Sequence, residues 1–178
     1  MTKKGILILG GARSGKSRFA QELAETLGEK VLFVATGEPL DKEMKARIAE
    51  HKRNRPSTWK TIEVPCHVIE RLKQLTFDVD VILLDCLTLL VSNLLGTKND
   101  NKDMEAKILS YIEELVVLLN QMEASWIVVS NEVGMGLVPG TRLGRTYRDV
   151  LGKANQLVAQ QATEVYFMVS GIPVKIKN

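Results

Sequence analysis

The strongest chemical signal in the chain is one continuous stretch: Gly10, Gly11, Ala12, Arg13, Ser14, Gly15, Lys16 and Ser17. It matches G-x-x-x-x-G-K-[ST] in full and lies between an apolar run and a helical pattern, the context that this motif requires. Glycines let successive backbone N–H groups converge on phosphate oxygens. The helix that follows turns its positive end toward the same anion. Lys16 is expected to reach the β- and γ-phosphates of a nucleoside triphosphate, and Ser17 to ligate Mg²⁺. The loop alone does not choose ATP over GTP. Asp85 ends another apolar run, where a second carboxylate commonly holds the metal's hydration shell. The other reading of Asp85 is an N-cap for the helix that follows.

A second constellation surrounds His51. If a helix runs through position 55, Arg47, His51 and Arg55 share a face at i, i+4 and i+8, beside an apolar stripe of Met44 and Ile48. Cations here would attract phosphates, and a neutral imidazole is a competent nucleophile toward an α-phosphate. A solvated basic helix with an incidental surface histidine fits the same pattern. His67, beside Pro65 and Cys66, has no comparable setting and reads as structural. A guanine-reading Asn-Lys-x-Asp is not formed, because Asn101 and Lys102 are followed by Asp103 and Met104. That demotes a regulatory switch and leaves a small-molecule kinase open.

These residues need a frame. Short apolar runs at 5–9, 31–35, 81–84, 126–130 and 165–169 read as strands covered on both faces. A weaker strand is expected at 59–64 and a last edge strand at 174–177, turned back by Gly171 and Pro173. Helical spacing occupies 17–27, 41–52, 67–75, 87–95, 104–122 and 142–161, with Gly28 as the first helix's C-cap. Residues 97–102 form a polar break, expected to be a mobile loop. Strands alternating with helices imply a parallel sheet with right-handed crossovers. Its ligands sit beyond the carboxyl ends of the strands. That edge gathers the loops at 10–17, 36–40, 85–86 and 131–136, joined by Ser170 and Gly171.

The chain has 178 residues, 45% of them apolar, and its 24 basic and 21 acidic residues leave a net charge of +3. One domain over 1–178 is expected. The balance excludes disorder as the main state and gives no electrostatic case for nucleic acid. Cys66 and Cys86 make no disulfide framework and have no metal-ligand spacing with the two histidines. No apolar run is long enough to insert in a membrane, and 6–9 is too short for a signal segment. A cytoplasmic location is the expectation.

Taken almost end to end, the sequence resembles the bifunctional adenosylcobinamide kinase / adenosylcobinamide-phosphate guanylyltransferase family of cobalamin biosynthesis. The resemblance is carried by the stretch Gly10 to Ser17, Ala35-Thr36, Arg47-Ile48 with His51, Arg55-Pro56 and Trp59. It continues through Asp85-Cys86-Leu87-Thr88, Ser92-Asn93-Leu94-Leu95, Asn131-Glu132-Val133-Gly134-Met135-Gly136 and Val169-Ser170-Gly171. It implies an α/β P-loop NTPase fold: a RecA-like, mostly parallel sheet flanked by helices, with a C-terminal antiparallel edge strand. It also implies two reactions. ATP or GTP phosphorylates the aminopropanol hydroxyl of adenosylcobinamide. GMP then passes from GTP, through a phosphoramidate at His51, to give adenosylcobinamide-GDP and pyrophosphate. A monofunctional small-molecule P-loop kinase is the alternative. Implied nucleotide contacts are Gly10 to Ser17, Thr36, Gly37, Glu38, Lys52, Arg53, Asn54, Arg55, Glu63 and Asp85. The family's trimeric assembly implies a homotrimer with sites near subunit boundaries.

Elementary chemistry agrees with that assignment. A covalent P–N intermediate splits one difficult displacement into two. Lys16, Arg53, Arg55 and Mg²⁺ would stabilise charge on the transferring group and on pyrophosphate. Glu63 can accept from a guanine edge, or stand as an exposed strand residue. Glu132 either serves the metal shell or the substrate hydroxyl, or caps a turn before Gly134. Arg142, Arg145 and Arg148 recur on one helical face and either meet a phosphate or a neighbouring subunit, or are solvated. Lys16→Ala is expected to weaken both reactions, because it removes a charge-assisted phosphate contact of about 1.5–3 kcal/mol. Nucleotide titration and steady-state rates of this variant check that.

Overall fold

The computed structural model describes residues 3–39, 41–53, 55–96 and 102–178. Seven strands form one sheet: β1 (Gly5–Gly10), β2 (Val31–Ala35), β3 (Lys60–Glu63), β4 (Val81–Asp85), β5 (Ser125–Val129), β6 (Glu164–Val169) and β7 (Ile172–Lys177). Their spatial order is β3-β2-β4-β5-β1-β6-β7. Every pair is parallel except β6 with β7, which is antiparallel. The expected mostly parallel sheet with an antiparallel C-terminal edge is the one found. The last strand begins two residues earlier than its apolar pattern indicates, at Ile172, because the turn is confined to Ser170 and Gly171.

Strand alternation divides the interior into two cores. Leu7, Leu32, Val34, Ile82, Leu84, Trp126 and Val128 point to one face of the sheet, and Ile6, Ile8, Phe33, Leu83, Ile127 and Val129 to the other. The first face is covered by α3 (Val68–Lys73), α4 (Leu87–Leu95), α5 (Lys102–Gln121) and α6 (Arg142–Gln161). The second packs against α1 (Lys16–Leu27) through Ala20 and Ala24. The α5 stripe of Ile108, Ile112, Leu115 and Leu119 is buried in the first core, so it is a packing stripe. Gly28 does end α1, in an extended conformation. A Cβ there would stand 2.3 Å from that of Asp80, whose carboxylate accepts from the N–H groups of Glu29 and Lys30.

Two expectations are revised. The basic helix α2 (Lys42–Arg53) stops before position 55, where the Arg55 N–H turns in to the Lys52 carbonyl at 3.4 Å. Arg55 therefore leaves the face that carries His51. The polar break expected at 97–102 falls mostly on 97–101, outside the described residues, and Lys102 already opens α5.

Where β1, β6 and β7 meet, the Glu164 carboxylate bridges Lys4 at 2.7 Å and Lys175 at 3.2 Å and accepts from the Tyr166 hydroxyl at 2.7 Å. The Lys4 bond first, then Tyr166, holds the Glu164 carboxyl down at about 2 against an ordinary 4.5. A pKa depressed in the folded state adds stability above the unfolded value, and that stability is lost as pH falls from 4.5 toward 2. Because both lysines are partly exposed, Glu164→Gln is expected to cost about 1–2 kcal/mol at neutral pH. It should also flatten the acid limb of a stability-against-pH curve followed by urea unfolding.

Candidate active site

Parallel topology places the loops after β3, β2, β4, β5, β1 and β6 side by side along one edge, in that lateral order. With strands about 4.8 Å apart, Asp85 at the end of β4 stands roughly 10 Å from Gly10 at the end of β1, across β5. The end of β3 is about twice as far from β1.

The glycine loop is shaped for close approach. Gly10 has φ 151°, Arg13 φ 55° and Gly15 φ 90°. A Cβ on Gly10 would lie 2.7 Å from the Met168 carbonyl oxygen and 2.8 Å from Ser14 Oγ, so no other residue fits the turn. The loop is tied down on both sides. Glu132 N–H donates to the Gly10 carbonyl at 3.1 Å, and Gly171 N–H donates to the Ser14 carbonyl at 3.0 Å. Inside it, the buried Lys16 folds back so that Nζ donates to the Gly11 carbonyl at 2.5 Å and approaches Ser14 Oγ at 3.4 Å. Burial lowers the Lys16 pKa, opposed by Cys86 and Asp85. Ser17 is half-buried in the first turn of α1, while Gly11 and Ala12 are exposed.

Asp85 Oδ2 is buried with no hydrogen-bond partner, although the carboxylate lies within the electrostatic reach of Lys16 and Arg55. The N-cap of α4 is Cys86, without a side-chain cap bond, so Asp85 does not cap that helix. An orphaned buried carboxylate oxygen on this edge, with the Ser17 hydroxyl in the first turn of α1 across β5, fits a Mg²⁺ whose remaining ligands are phosphate oxygens and water. Among the described residues no group of three or more His, Cys, Asp or Glu could form a self-sufficient metal cage. Next to Asp85, burial pushes the Cys86 thiol up to about 12, so it stays protonated.

Arg55 joins this group from the β2 side. Its guanidinium lies over the Phe33 ring, 3.7 Å from the centroid, and its buried Nε has no partner. Burial lowers its pKa, with Asp85 and Glu63 opposing. Thr36 is fully buried, and its hydroxyl exchanges hydrogen bonds with the backbone N–H and carbonyl of Cys86, at 2.8 and 2.7 Å. Thr36 thus fastens β2 to the Asp85 loop. Gly37 and the half-buried Ile48 approach each other below α2. With Lys52 and Glu63 they line a cleft of about 220 Å³.

The remaining candidates stand apart. Lys52 forms an ion pair with Glu63 at the outer edge of the sheet. Glu63 is exposed there, as are Lys52 and Arg53, whereas Glu38 is half-buried. His51 is half-buried on α2 beside Ile48. Asn54 lies outside the described residues. Glu132 caps its turn, accepting from Gly134 N–H at 2.6 Å. Arg145 spends its guanidinium on the carbonyls of Pro139 and Gly140, at 3.0 and 2.9 Å.

One set of residues was not anticipated. Ser130 donates to Asn155 Oδ1 at 2.6 Å, Asn155 Nδ2 donates to the Asn131 carbonyl at 3.1 Å, and Asn131 N–H donates to Thr88 Oγ1 at 2.7 Å. Tyr147 donates to the Thr88 carbonyl at 3.3 Å, and burial pushes its hydroxyl up to about 12. This uncharged network fixes the loop after β5 against the start of α4. The available signal was Asn155, a polar residue on the otherwise apolar stripe of α6 with Leu151, Ala154 and Val158.

The strand order and the glycine loop define a RecA-like P-loop α/β fold. The solved structure of the RadB recombinase shares it, with a TM-score of 0.50 and 16% identity over 93% of this chain and 74% of that one. More specifically, the sequence profile described as cobinamide kinase / cobinamide phosphate guanyltransferase matches residues 6–176. The bifunctional adenosylcobalamin biosynthesis protein CobU of Escherichia coli strain K12 is 43% identical over 97% of this chain and 99% of its own. Its namesake from Salmonella typhimurium is 44% identical over the same shares. CobP of Pseudomonas aeruginosa is 40% identical over 97% of this chain and 96% of its own. The chain belongs to the cobinamide kinase / cobinamide phosphate guanyltransferase family, whose members are bifunctional kinases and nucleotidyltransferases.

Thr88→Val keeps the shape of the side chain but leaves the Asn131 N–H unpaired. A loss of about 1–3 kcal/mol is expected. That corresponds to a Tm lower by roughly 3–10 °C for a domain of this size. Thr88→Ser should recover most of it, and calorimetry distinguishes the two.

Proposed function

We propose that the protein phosphorylates the aminopropanol hydroxyl of adenosylcobinamide with ATP or GTP and then converts the product to adenosylcobinamide-GDP. The observation that carries this reading is the unmatched charge at the sheet edge. Lys16 is held only by loop oxygens, and Asp85 Oδ2 is buried without a partner. A triphosphate with its cation supplies what both lack.

In the first reaction the triphosphate lies along Gly10 to Ser17. The backbone N–H groups and Lys16 take up charge on the phosphates. The substrate oxygen forms a bond to the γ-phosphorus as the β–γ bridge breaks, and the hydroxyl proton leaves with the nucleoside diphosphate as the other product. Mg²⁺, held by Ser17 and Asp85, supplies charge neutralisation when bound. Thr36, Gly37 and Glu38 border the nucleotide from the loop after β2.

In the second reaction an imidazole nitrogen of His51 attacks the α-phosphorus of GTP and pyrophosphate leaves. A phosphate oxygen of adenosylcobinamide phosphate then attacks the same phosphorus. The P–N bond breaks, the new P–O–P bond forms, and the imidazole is regenerated. Lys52, Arg53 and Arg55 line the path of the anion, Asn54 is assigned with them as a nucleotide contact, and Glu63 accepts from the guanine edge. Support comes from the orphaned Arg55 Nε beside Asp85 and from the cleft between α2 and Glu63. Copies assemble as a homotrimer. The exposed apolar side chains of β7, namely Ile172, Val174 and Ile176, support an interface at that edge. No helix among the described residues is long and apolar enough to cross a membrane.

The decisive experiment is incubation with α-labelled GTP. An acid-labile, base-stable GMP adduct is expected on the wild-type chain and none on His51→Ala, while His51→Ala keeps most of its cobinamide phosphorylation. An adduct persisting in His51→Ala would move the nucleophile elsewhere. No adduct on the wild-type chain, with phosphorylation intact, would leave a monofunctional kinase. Asp85→Asn should lower the phosphorylation rate by about 10²-fold or more, through loss of the metal-side charge, and a magnesium titration of the rate checks it.

A further inference from the structure

We infer that the glycine-punctuated loop at residues 134–140 is the docking surface for the corrin macrocycle, with Met135, Leu137 and Val138 as its contact side chains. The inference rests on the proposed function and names the part of the site that receives the bulk of the substrate. Met135 is 80% exposed, Leu137 96% and Val138 64%. Three large apolar side chains offered to water within four residues mark a surface that gains by being covered.

The loop is built and not merely left outside. At its start Glu132 Oε1 holds the Gly134 N–H. At its end Arg145 grips the carbonyls of Pro139 and Gly140, and Thr141 caps α6 through the Gly144 N–H at 3.1 Å. The hydrogen bonds lie at the two ends, so the apolar side chains between them are presented on a fixed base.

Position selects the occupant. The Glu132 N–H is bonded to the Gly10 carbonyl, so the loop springs from the phosphate cradle itself. Met135 lies three residues beyond that bond and Leu137 five, hence within about 11 and 18 Å of it by chain reach. A molecule covering the loop can therefore place a short arm at the γ-phosphate end of the cradle. The substrate has that form: a broad macrocycle bearing methyl as well as amide groups, and a reactive hydroxyl at the end of a flexible side arm. A second copy of the chain is the competing occupant. The apolar strip of β7 is a separate patch, on the edge strand beyond β6.

The test is the double variant Met135→Ser/Leu137→Ser, with Leu137→Ile as the conservative control. The KM for cobinamide in the phosphorylation assay should rise about tenfold or more in the double variant, since burying each such side chain is worth roughly that factor. Leu137→Ile should stay near wild type. The KM for the nucleotide, the GMP adduct formed without corrinoid, and the sedimentation coefficient should not change. An unchanged KM for cobinamide overturns the inference. So does a rise accompanied by a smaller sedimenting species, which assigns the loop to a subunit contact. Failure of the proposed function reads differently, as a wild-type chain that does not phosphorylate cobinamide at all.

Discussion

Buried charge without a partner is the constraint around which this molecule is arranged. A carboxylate oxygen and an ammonium group are both held out of water at the carboxyl edge of the sheet. Neither forms an ion pair with the other, and desolvation opposes each. Lys16 makes do with a loop carbonyl and a hydroxyl, Asp85 Oδ2 with nothing, and Arg55 Nε with an aromatic face. Such an arrangement persists only where the surrounding structure holds it, and it favours a bound anion and cation that complete it.

The surrounding structure is accordingly rigid and neutral. Thr36 fastens β2 to the Asp85–Cys86 peptide, and Asn93 donates to the carbonyls of Thr36 and Pro65 at 2.8 and 3.0 Å. Thr88, Ser130 and Asn155 fix the loop after β5, which in turn holds Gly10. Every member of this frame is uncharged, so it adds no competing field to the site. Ion pairs are found away from it, as at Glu164 with Lys4 and Lys175.

The edge is also divided laterally. The phosphate cradle and Asp85 occupy its middle, and the glycine loop with its exposed apolar residues rises beside the cradle. The α2 helix, with His51 and the Lys52–Glu63 pair, covers the outer half toward β3. In the proposed reading, two chemistries on one sheet edge are served from opposite sides: a hydroxyl delivered from the side of the glycine loop, and an imidazole from the side of α2.

Much of this was legible in the residues. The motif from Gly10 to Ser17 needs only local backbone geometry, so its chemistry follows from sequence order. The strand runs were equally plain, because burial on both faces makes them continuously apolar. Asp85 could be placed at a strand end, but not freed from capping, until α4 was found to begin behind Cys86 without it. The i, i+4, i+8 face of Arg47, His51 and Arg55 failed for a tertiary reason. The helix α2 ends at Arg53, and the Arg55 guanidinium lies on the Phe33 ring. Thr88, Ser130 and Asn155 stand far apart in the chain, and each alone is an unremarkable polar residue. Only the packing of α4, β5 and α6 brings them within hydrogen-bond distance. Local chemistry was written in the sequence; which groups would find partners, and which would be left without, was decided by the fold, because a buried polar atom is satisfied only by what the tertiary structure places beside it.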